Sequence, residues 1–275
     1  MILELLNTHT TDVVKRPSQF CKTPYVADVR YGEEGETTLA HSPSLGCCGL
    51  ADKGSKIIVT KVDSSKSKCS HRIDLAVLEE RGYTFVIGIN PKLAETLIHN
   101  TLKENKLSFL GHCQNFCREK KILNSRFDFY GTDESGQTFY MEVKNVPLAD
   151  YVDVPKKERK KYLHLNETMD VHEKIAYFPD GYRKSGQDIV SPRALKHIEE
   201  LQEIKTTTDH RTILCFVVQR MDVKHFQPSH IDPTYRKAVI EAAKKGVEIR
   251  AIQFEWTLDG KCKFIRDDLP VVLEE

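Results

Sequence analysis

One hairpin constrains this chain more than any other feature. Residues 125–131 and 138–146 read as two strands around a turn that contains Glu134, Ser135 and Gly136. A hairpin centred on Ser135 sets Asp128 opposite Glu142 and Arg126 opposite Lys144. Opposed residues of an antiparallel pair share a face, and successive residues alternate between faces. One face is therefore expected to carry Arg126, Asp128, Glu142 and Lys144. The other carries Phe127, Phe129, Met141 and Val143 and reads as a core face.

Two carboxylates set against each other are unfavourable in an unaided sheet. A divalent cation relieves the repulsion, and hard oxygen ligands suit Mg²⁺ or Mn²⁺. Lys144, two residues past Glu142 on the same face, is placed to orient or deprotonate a water beside the metal, or to stabilise charge developing on a phosphate. The pattern suits metal-assisted phosphodiester hydrolysis. It also suits a solvated face with diagonal ion pairs, Arg126 to Glu142 and Asp128 to Lys144, and the residues alone leave both readings open.

Upstream, short turn-punctuated strands at 25–31, 37–40, 56–62 and 83–89 suggest a small β-barrel or sandwich over residues 1–85, with 73–81 either strand or short helix. The texture changes at Asn90, which can cap a helix whose first turn accepts Pro91; a helix over 91–105 is predicted. A polar stretch, 147–174, follows the hairpin and reads as a long excursion or insertion. Ser191-Pro192 opens a helix to Lys205, and an apolar strand follows at 212–219. Asp232-Pro233 opens another helix, which runs to Lys245 and stops at Gly246, and 247–256 is the last strong strand. A hairpin and two helix–strand units predict an α/β domain, a mixed sheet with helices against it, over residues 86–275.

Lys plus Arg number 41 and Asp plus Glu 40, a net charge of +1, so no global basic field for nucleic acid exists. A phosphate-binding surface must come from local segregation of charge. In the helix from Ser191, Arg193, Lys196 and His197 share a face apart from the apolar Leu195, Ile198 and Leu201, and suit a phosphate as well as they suit solvent. Lys15, Arg16, Lys22 and Arg30 interleave with Phe20, Tyr25 and Tyr31, a composition for a single-stranded nucleic-acid groove or for ordinary strands with aromatic core positions. The basic run at 156–161 reads as a solvated loop, a nucleic-acid patch or a nuclear address.

No window approaches the ~18 consecutive apolar residues of a membrane span. The N-terminus has no basic region ahead of an apolar stretch, so neither a membrane partner nor a secretory signal is expected. The eight cysteines form no C-x-x-C pair and no zinc spacing. Reduced thiols in a cytoplasmic protein are the expectation, with a nuclear location and a homodimer both left open.

Ser-Arg-Phe-Asp-Phe (125–129) and Glu-Val-Lys-Asn-Val (142–146) resemble the SfsA family, the sugar fermentation stimulation proteins. Further matches follow in order: Phe-Pro-Asp (178–180), Arg193 with Lys196-His197 and Glu200-Leu201, Val-Gln-Arg (218–220), Ile231-Asp232-Pro233 with Tyr235, and Gly-Val-Glu-Ile (246–249). Lys15-Arg16, Ala27-Asp28-Val29 and His41-x-Pro43 also fit. The resemblance covers nearly the whole chain apart from an added stretch near 147–172.

The resemblance implies an N-terminal OB-like β-barrel, a restriction-endonuclease-like PD-(D/E)xK domain, and DNA as partner, single- or double-stranded. It implies Mg²⁺ or Mn²⁺ on Asp128 and Glu142, with Lys144 acting on the water. In that fold a helix ahead of the hairpin supplies a further acidic residue; Glu119 matches it and would support the metal shell. A metal-dependent nuclease is the reading this favours, and a DNA-binding transcriptional regulator without nuclease activity is the alternative. The chain departs from the family at 41–46, where Ser44 and Leu45 replace an amide and a hydroxyl in His-x-Pro-Asn-Thr-Gly. Nothing in the residues marks a sugar site.

Overall fold

The computed structural model describes residues 1–31, 35–44, 49–63, 68–113, 115–155, 157–179 and 190–274. Strands β1 (Leu3–Glu4), β2 (Thr8–Lys15), β3 (Val26–Tyr31), β4 (Glu36–His41), β5 (Lys56–Lys61), β6 (His71–Glu80) and β7 (Tyr83–Gly88) precede helix α1 (Pro91–Lys103). Strands β8 (Asn115–Ile122), β9 (Ser125–Thr132), β10 (Thr138–Val146) and β11 (Ala149–Asp150) follow, then the one-turn helix α2 (Leu165–Thr168) and β12 (Lys174–Phe178). The chain ends with α3 (Pro192–Thr207), β13 (Arg211–Val218), β14 (Val223–Pro228), α4 (Pro233–Lys244), β15 (Glu248–Trp256) and β16 (Lys261–Arg266).

Near the N-terminus five strands close on themselves. β2 pairs with β3 and β5, β3 with β4, and β5 with β6, all antiparallel, while β4 meets β6 in parallel. Val13, Val29, Ile57, Val59 and Ile73 form the core of this ring. The alternate residues Ile58 and Leu75, directly paired, turn the other way into the core beneath α1. β5 and β6 are thus apolar on both faces because each face closes a different core. Residues 73–81, left between strand and helix by the sequence, lie mostly in β6.

β7 leads out of the ring. It meets β15 at Val86↔Trp256, and the sheet continues in the order β15, β13, β10, β9, β8. β10, β13 and β15 run parallel, and β9 and β8 return antiparallel. Helix α1 covers one face, packing Leu93, Leu97 and Ile98 on Phe129, Met141 and Ile213. Helices α3 and α4 cover the other, with Ile198, Leu201 and Val239 on Leu214, Phe216 and Val218. A central parallel strand buried on both sides must be apolar throughout, and Ile213–Val218 is wholly buried. The fold is mixed α/β, as the hairpin and helix–strand units suggested.

The helices start where their caps dictate. Asn90, Ser191 and Asp232 accept backbone N–H groups of Lys92, Ala194 and Tyr235, each with Pro at the next position. Asn90 also donates to Asp74 Oδ1 at 2.6 Å, which ties the start of α1 to β6 of the ring. At the joint between ring and sheet, Gln219 donates to Asn145 Oδ1 (2.6 Å) and accepts from Trp256 Nε1 (2.7 Å). Gly88 lies against it; a Cβ there would fall 2.2 Å from Gln219 Oε1, so only glycine fits.

Three features differ from the sequence reading. Residues 3–4 pair with β16 rather than with the ring, and Ile2 joins the core under α1. The stretch 147–174 is ordered in part: β11 and β14 flank β12 in a separate small sheet, and Arg159 of the basic run donates to the Tyr177 hydroxyl at 2.8 Å. Strands β2, β8, β11, β12, β14 and β16 were not foreseen. Lys156, Asp180, Leu45-Gly46, Cys47, Cys48 and most of the turn at 32–35 lie outside the described residues. Among the described cysteines Cys21, Cys69, Cys113, Cys117, Cys215 and Cys262 are free thiols. No helix among the described residues is long and apolar enough to cross a membrane.

Candidate active site

The hairpin register is the one the turn implied. Thr138 pairs with Thr132 and Met141 with Phe129, centring the hairpin on Ser135. The pairing then stops, while β10 continues against β13 as far as Val146↔Val218. Asp128 sits at the point of divergence, where its Oδ2 accepts the Val143 N–H at 2.7 Å. On the other side of β9, Glu119 falls between the pairs Arg118↔Phe129 and Lys120↔Phe127 and has a φ of 58°. The expected shared face of Phe127 and Phe129 is not observed. Phe129 packs with Met141 and Val143 under α1, whereas Phe127 lies on the α3 side, 6.0 Å from the His197 ring and 6.2 Å from Tyr140.

The charged face of β10 is buried rather than solvated. Glu142 is 3% exposed, and its Oε1 accepts from both the Lys144 ammonium and His197 Nδ1–H. Lys144 Nζ also lies 3.4 Å from His197 Nδ1. Glu142 Oε2 is buried with no hydrogen-bond partner. Buried carboxylate oxygens are rarely left unsatisfied, so this atom marks the open valence of the site.

The two carboxyls are driven apart in acidity. Burial and the nearby Glu142 charge push the Asp128 carboxyl up to about 7. Burial acts on Glu142 in the same direction, but the hydrogen bond from His197 and the Lys144 charge outweigh it and hold Glu142 below the usual carboxylate range. Two adjacent carboxyls with opposed environments are a frequent mark of a catalytic site.

Both carboxyls open onto a cavity of ≈ 540 Å³. Lys144 and Asn145 of β10, Glu95 of α1, Arg193 of α3 and Ser44 of the ring complete its polar wall. Glu95 was missed by the sequence reading. Its charge reaches Asp128 and contributes to the raised pKa there, and it pairs with Arg118 Nη2 at 2.8 Å. A signal for it existed: the helix expected ahead of the hairpin contains only Glu95 and Glu104 as acidic residues.

The remaining candidates scatter. Glu119 lies on strand β8, not on a helix, and its exposed carboxylate pairs with the exposed Arg126 at 3.1 Å away from the cavity wall. The strip on α3 is divided: Arg193 faces the cavity, Lys196 donates to Asn124 O at 2.9 Å, and His197 is buried on Glu142. Lys15 is exposed on β2. Arg16 is committed to backbone, donating to Pro24 O (2.9 Å), Ser44 O (2.7 Å) and Ala51 O (3.4 Å).

Among the described residues no three His, Cys, Asp or Glu side chains converge closely enough to cage a metal by themselves. A divalent cation bound through one or two carboxylates, with waters and substrate oxygens completing its shell, does not require such a cage. Asp128 and the free Oε2 of Glu142 are hard donors of that kind, and the residues present fit the group.

Known proteins share this fold. The fold as a whole superposes on the solved structure of Pyrococcus furiosus SfsA in complex with Ca²⁺, with a TM-score of 0.72, 20% identity and 98% coverage of each chain. The family model described as sugar fermentation stimulation protein RE domain matches residues 92–260. A sugar fermentation stimulation protein homolog of Crocosphaera subtropica is 32% identical over 243 residues, which cover 86% of each chain. The homolog of Citrifermentans bemidjiense is 30% identical over 236 residues, covering 85% of this chain and 86% of its own. The molecule is thus a mixed α/β protein with the SfsA architecture. The chain belongs to the SfsA family.

Proposed function

We propose that the cavity is a divalent-cation-dependent nuclease site acting on DNA phosphodiesters. One observation carries the reading: Glu142, whose buried Oε2 has no hydrogen-bond partner, lines the cavity together with an Asp128 carboxyl whose ionisation is resisted by burial and by Glu142 itself. A divalent cation held by these carboxyls would satisfy the orphan and relieve the repulsion. The Pyrococcus relative is in complex with Ca²⁺, which supports a divalent site in the same fold, and the family resemblance supports DNA as partner.

Asp128 and Glu142 would hold Mg²⁺ or Mn²⁺, with Glu95 on the flank in the place first given to Glu119. When bound, such an ion supplies Lewis-acid polarisation of the phosphodiester and acidifies water. The protein's own groups do the rest. His197 fixes Glu142 through Oε1 and so holds the carboxylate in one orientation. Lys144 presents a positive charge where charge develops on a phosphoryl oxygen. Arg193, exposed on the facing wall, holds a neighbouring phosphate. The ring of β2 to β6 supports an OB-like unit within residues 1–85 beside a nuclease-like unit over 86–275.

A second reading, DNA binding without cleavage, draws on the fact that Lys144 already pairs with Glu142 and His197 hydrogen-bonds it. Incubation of labelled DNA with Mg²⁺ or Mn²⁺, wild type beside Glu142→Gln, separates the two. We expect cleavage by wild type and loss of at least about 100-fold in the variant, the scale of a lost electrostatic contributor. DNA bound by both proteins and cleaved by neither would favour the second reading.

A further inference from the structure

An aromatic pair that the proposed chemistry does not use lies on the segment that leads to Ser44 of the cavity wall. Tyr25, just ahead of β3 and 42% exposed, stacks on His41 at the end of β4. Their ring centroids are 6.4 Å apart and their planes within 19°. His41 is exposed as well. Three residues beyond His41, Ser44 lines the cavity with Asp128 and Glu142.

The short segment between is pinned at both ends. Ser42 N–H donates to Tyr25 O at 2.8 Å. The Arg16 guanidinium clasps the pair from below, donating to Pro24 O beside Tyr25 and to Ser44 O beyond His41. Lys92 stands close by on α1, next to Pro91 of the cavity wall; it is exposed and enters no ion pair among the described residues. Partial burial, with the charges of Lys92 and Arg72, holds His41 below its ordinary range, so its ring is a neutral π face near pH 7. Phe20, in the same loop as Tyr25, is 69% exposed.

We infer that Tyr25 and His41 form a stacking platform for an unpaired base of a DNA strand whose backbone passes Lys92 into the cavity. The substrate is then single-stranded or frayed DNA rather than closed duplex. The physical reason is that every base has a π face, but in a duplex both faces are already covered by neighbours. A fixed pair of exposed rings beside an unpaired cation offers an unpaired strand both of the contacts it seeks, stacking and charge. The inference rests on the proposed DNA-processing role of the cavity and adds the form of the substrate.

Fluorescence anisotropy of a labelled oligothymidylate and of a closed hairpin duplex, in Ca²⁺, tests it. Tyr25→Ala is expected to weaken single-strand binding by about 5- to 150-fold, the range for one lost base stack. Tyr25→Phe should bind as wild type does, and duplex binding should not change. The salt dependence of Tyr25→Ala should match wild type, whereas Lys92→Ala should flatten it by ~0.7, one phosphate contact on a single strand. A Tyr25→Trp variant keeps the test open should the alanine variant fold poorly, because stacking on an added oligothymidylate should quench its fluorescence. Unchanged single-strand affinity in Tyr25→Ala, an equal loss on duplex, or no quenching in Tyr25→Trp would overturn the platform alone. Wild type that bound neither DNA would overturn the DNA-processing role, and the platform with it.

Discussion

The Asp128 carboxylate accepts the Val143 N–H at 2.7 Å, at the position where β9 and β10 cease to pair. A side chain thus takes over the acceptor role that the next strand residue would have filled. The strands separate without orphaning that N–H, and the gap between them becomes the cavity floor. Asp128 is held in place by backbone rather than by another charge, which leaves its second oxygen available.

This placement costs stability. The folded Asp128 carboxyl titrates at about 7, against roughly 3.9 for a free aspartate. Between those values the folded state keeps a proton that the unfolded state has released, so stability falls as pH rises from about 4 to 7 and the penalty is full above 7. Asp128→Asn keeps an acceptor for Val143 and has no charge to bury. In metal-free urea unfolding we expect it to exceed wild type at about pH 8 by a few kcal/mol, and to converge with it at about pH 4. Equal stability at the higher pH would show that Asp128 ionises there without strain.

His197 should act on the cation through Glu142. Its Nδ1–H holds Oε1, while Oε2 is buried with no hydrogen-bond partner. Loss of such a supporting partner usually weakens metal affinity by about 10- to 100-fold. Mn²⁺ titration of His197→Ala should show a loss of that size, and His197→Asn, whose amide can still donate, should recover part of it. Wild-type affinity in the alanine variant would make His197 a packing residue against Phe127 and nothing more.

Glu95 and Glu119 compete for one role. Glu95→Gln should reduce cleavage by at least about tenfold, in keeping with a lost charge at the reacting centre. Glu119→Gln breaks only an exposed pair with Arg126, worth at most about 1 kcal/mol, and should cut DNA nearly as wild type does. The reverse order of effects would restore the assignment made from sequence.

A second group of charges, away from the cavity, is structural. Asp222 is fully buried and accepts from Arg220 through both oxygens and from Lys174 at 2.9 Å. Lys174 also reaches Glu80 at the end of β6 and so bridges the ring and the small sheet. Although burial opposes ionisation, Arg220 and Lys174 hold the Asp222 carboxyl far below its usual range. Its contribution is present above about pH 4 and is lost as pH falls below that. Breaking one partner of a buried network costs about 3–5 kcal/mol, so urea unfolding of Asp222→Asn near neutral pH should show a loss of that order. A loss under about 1 kcal/mol would mean that the network is relaxed by water.

Much of this was written locally in the chain. The caps Asn90, Ser191 and Asp232, each ahead of proline, set three helix starts, and Ser135 set the hairpin register. What escaped depended on long-range packing. Glu95 reaches the site through the packing of α1 on the sheet, a long-range contact that the helix's own residues do not reveal. Periodicity grouped His197 with Arg193 and Lys196 but could not say which edge of that face α3 would bury. Strand β8, Asn-Phe-Cys-Arg-Glu-Lys-Lys-Ile, is a charged, largely exposed edge strand, and such edges lack the alternation that reveals a strand. The left-handed conformation of Glu119 has no sequence signature, and nor has the placing of Phe127 and Phe129 in opposite cores.

The most direct measurement is calorimetric titration of Mn²⁺ into the metal-free protein, wild type beside Asp128→Asn and Glu142→Gln. We expect saturable binding in wild type and its loss in both variants, with folding intact by circular dichroism. Binding of equal strength in all three proteins would contradict the assignment of the acidic pair as a cation site.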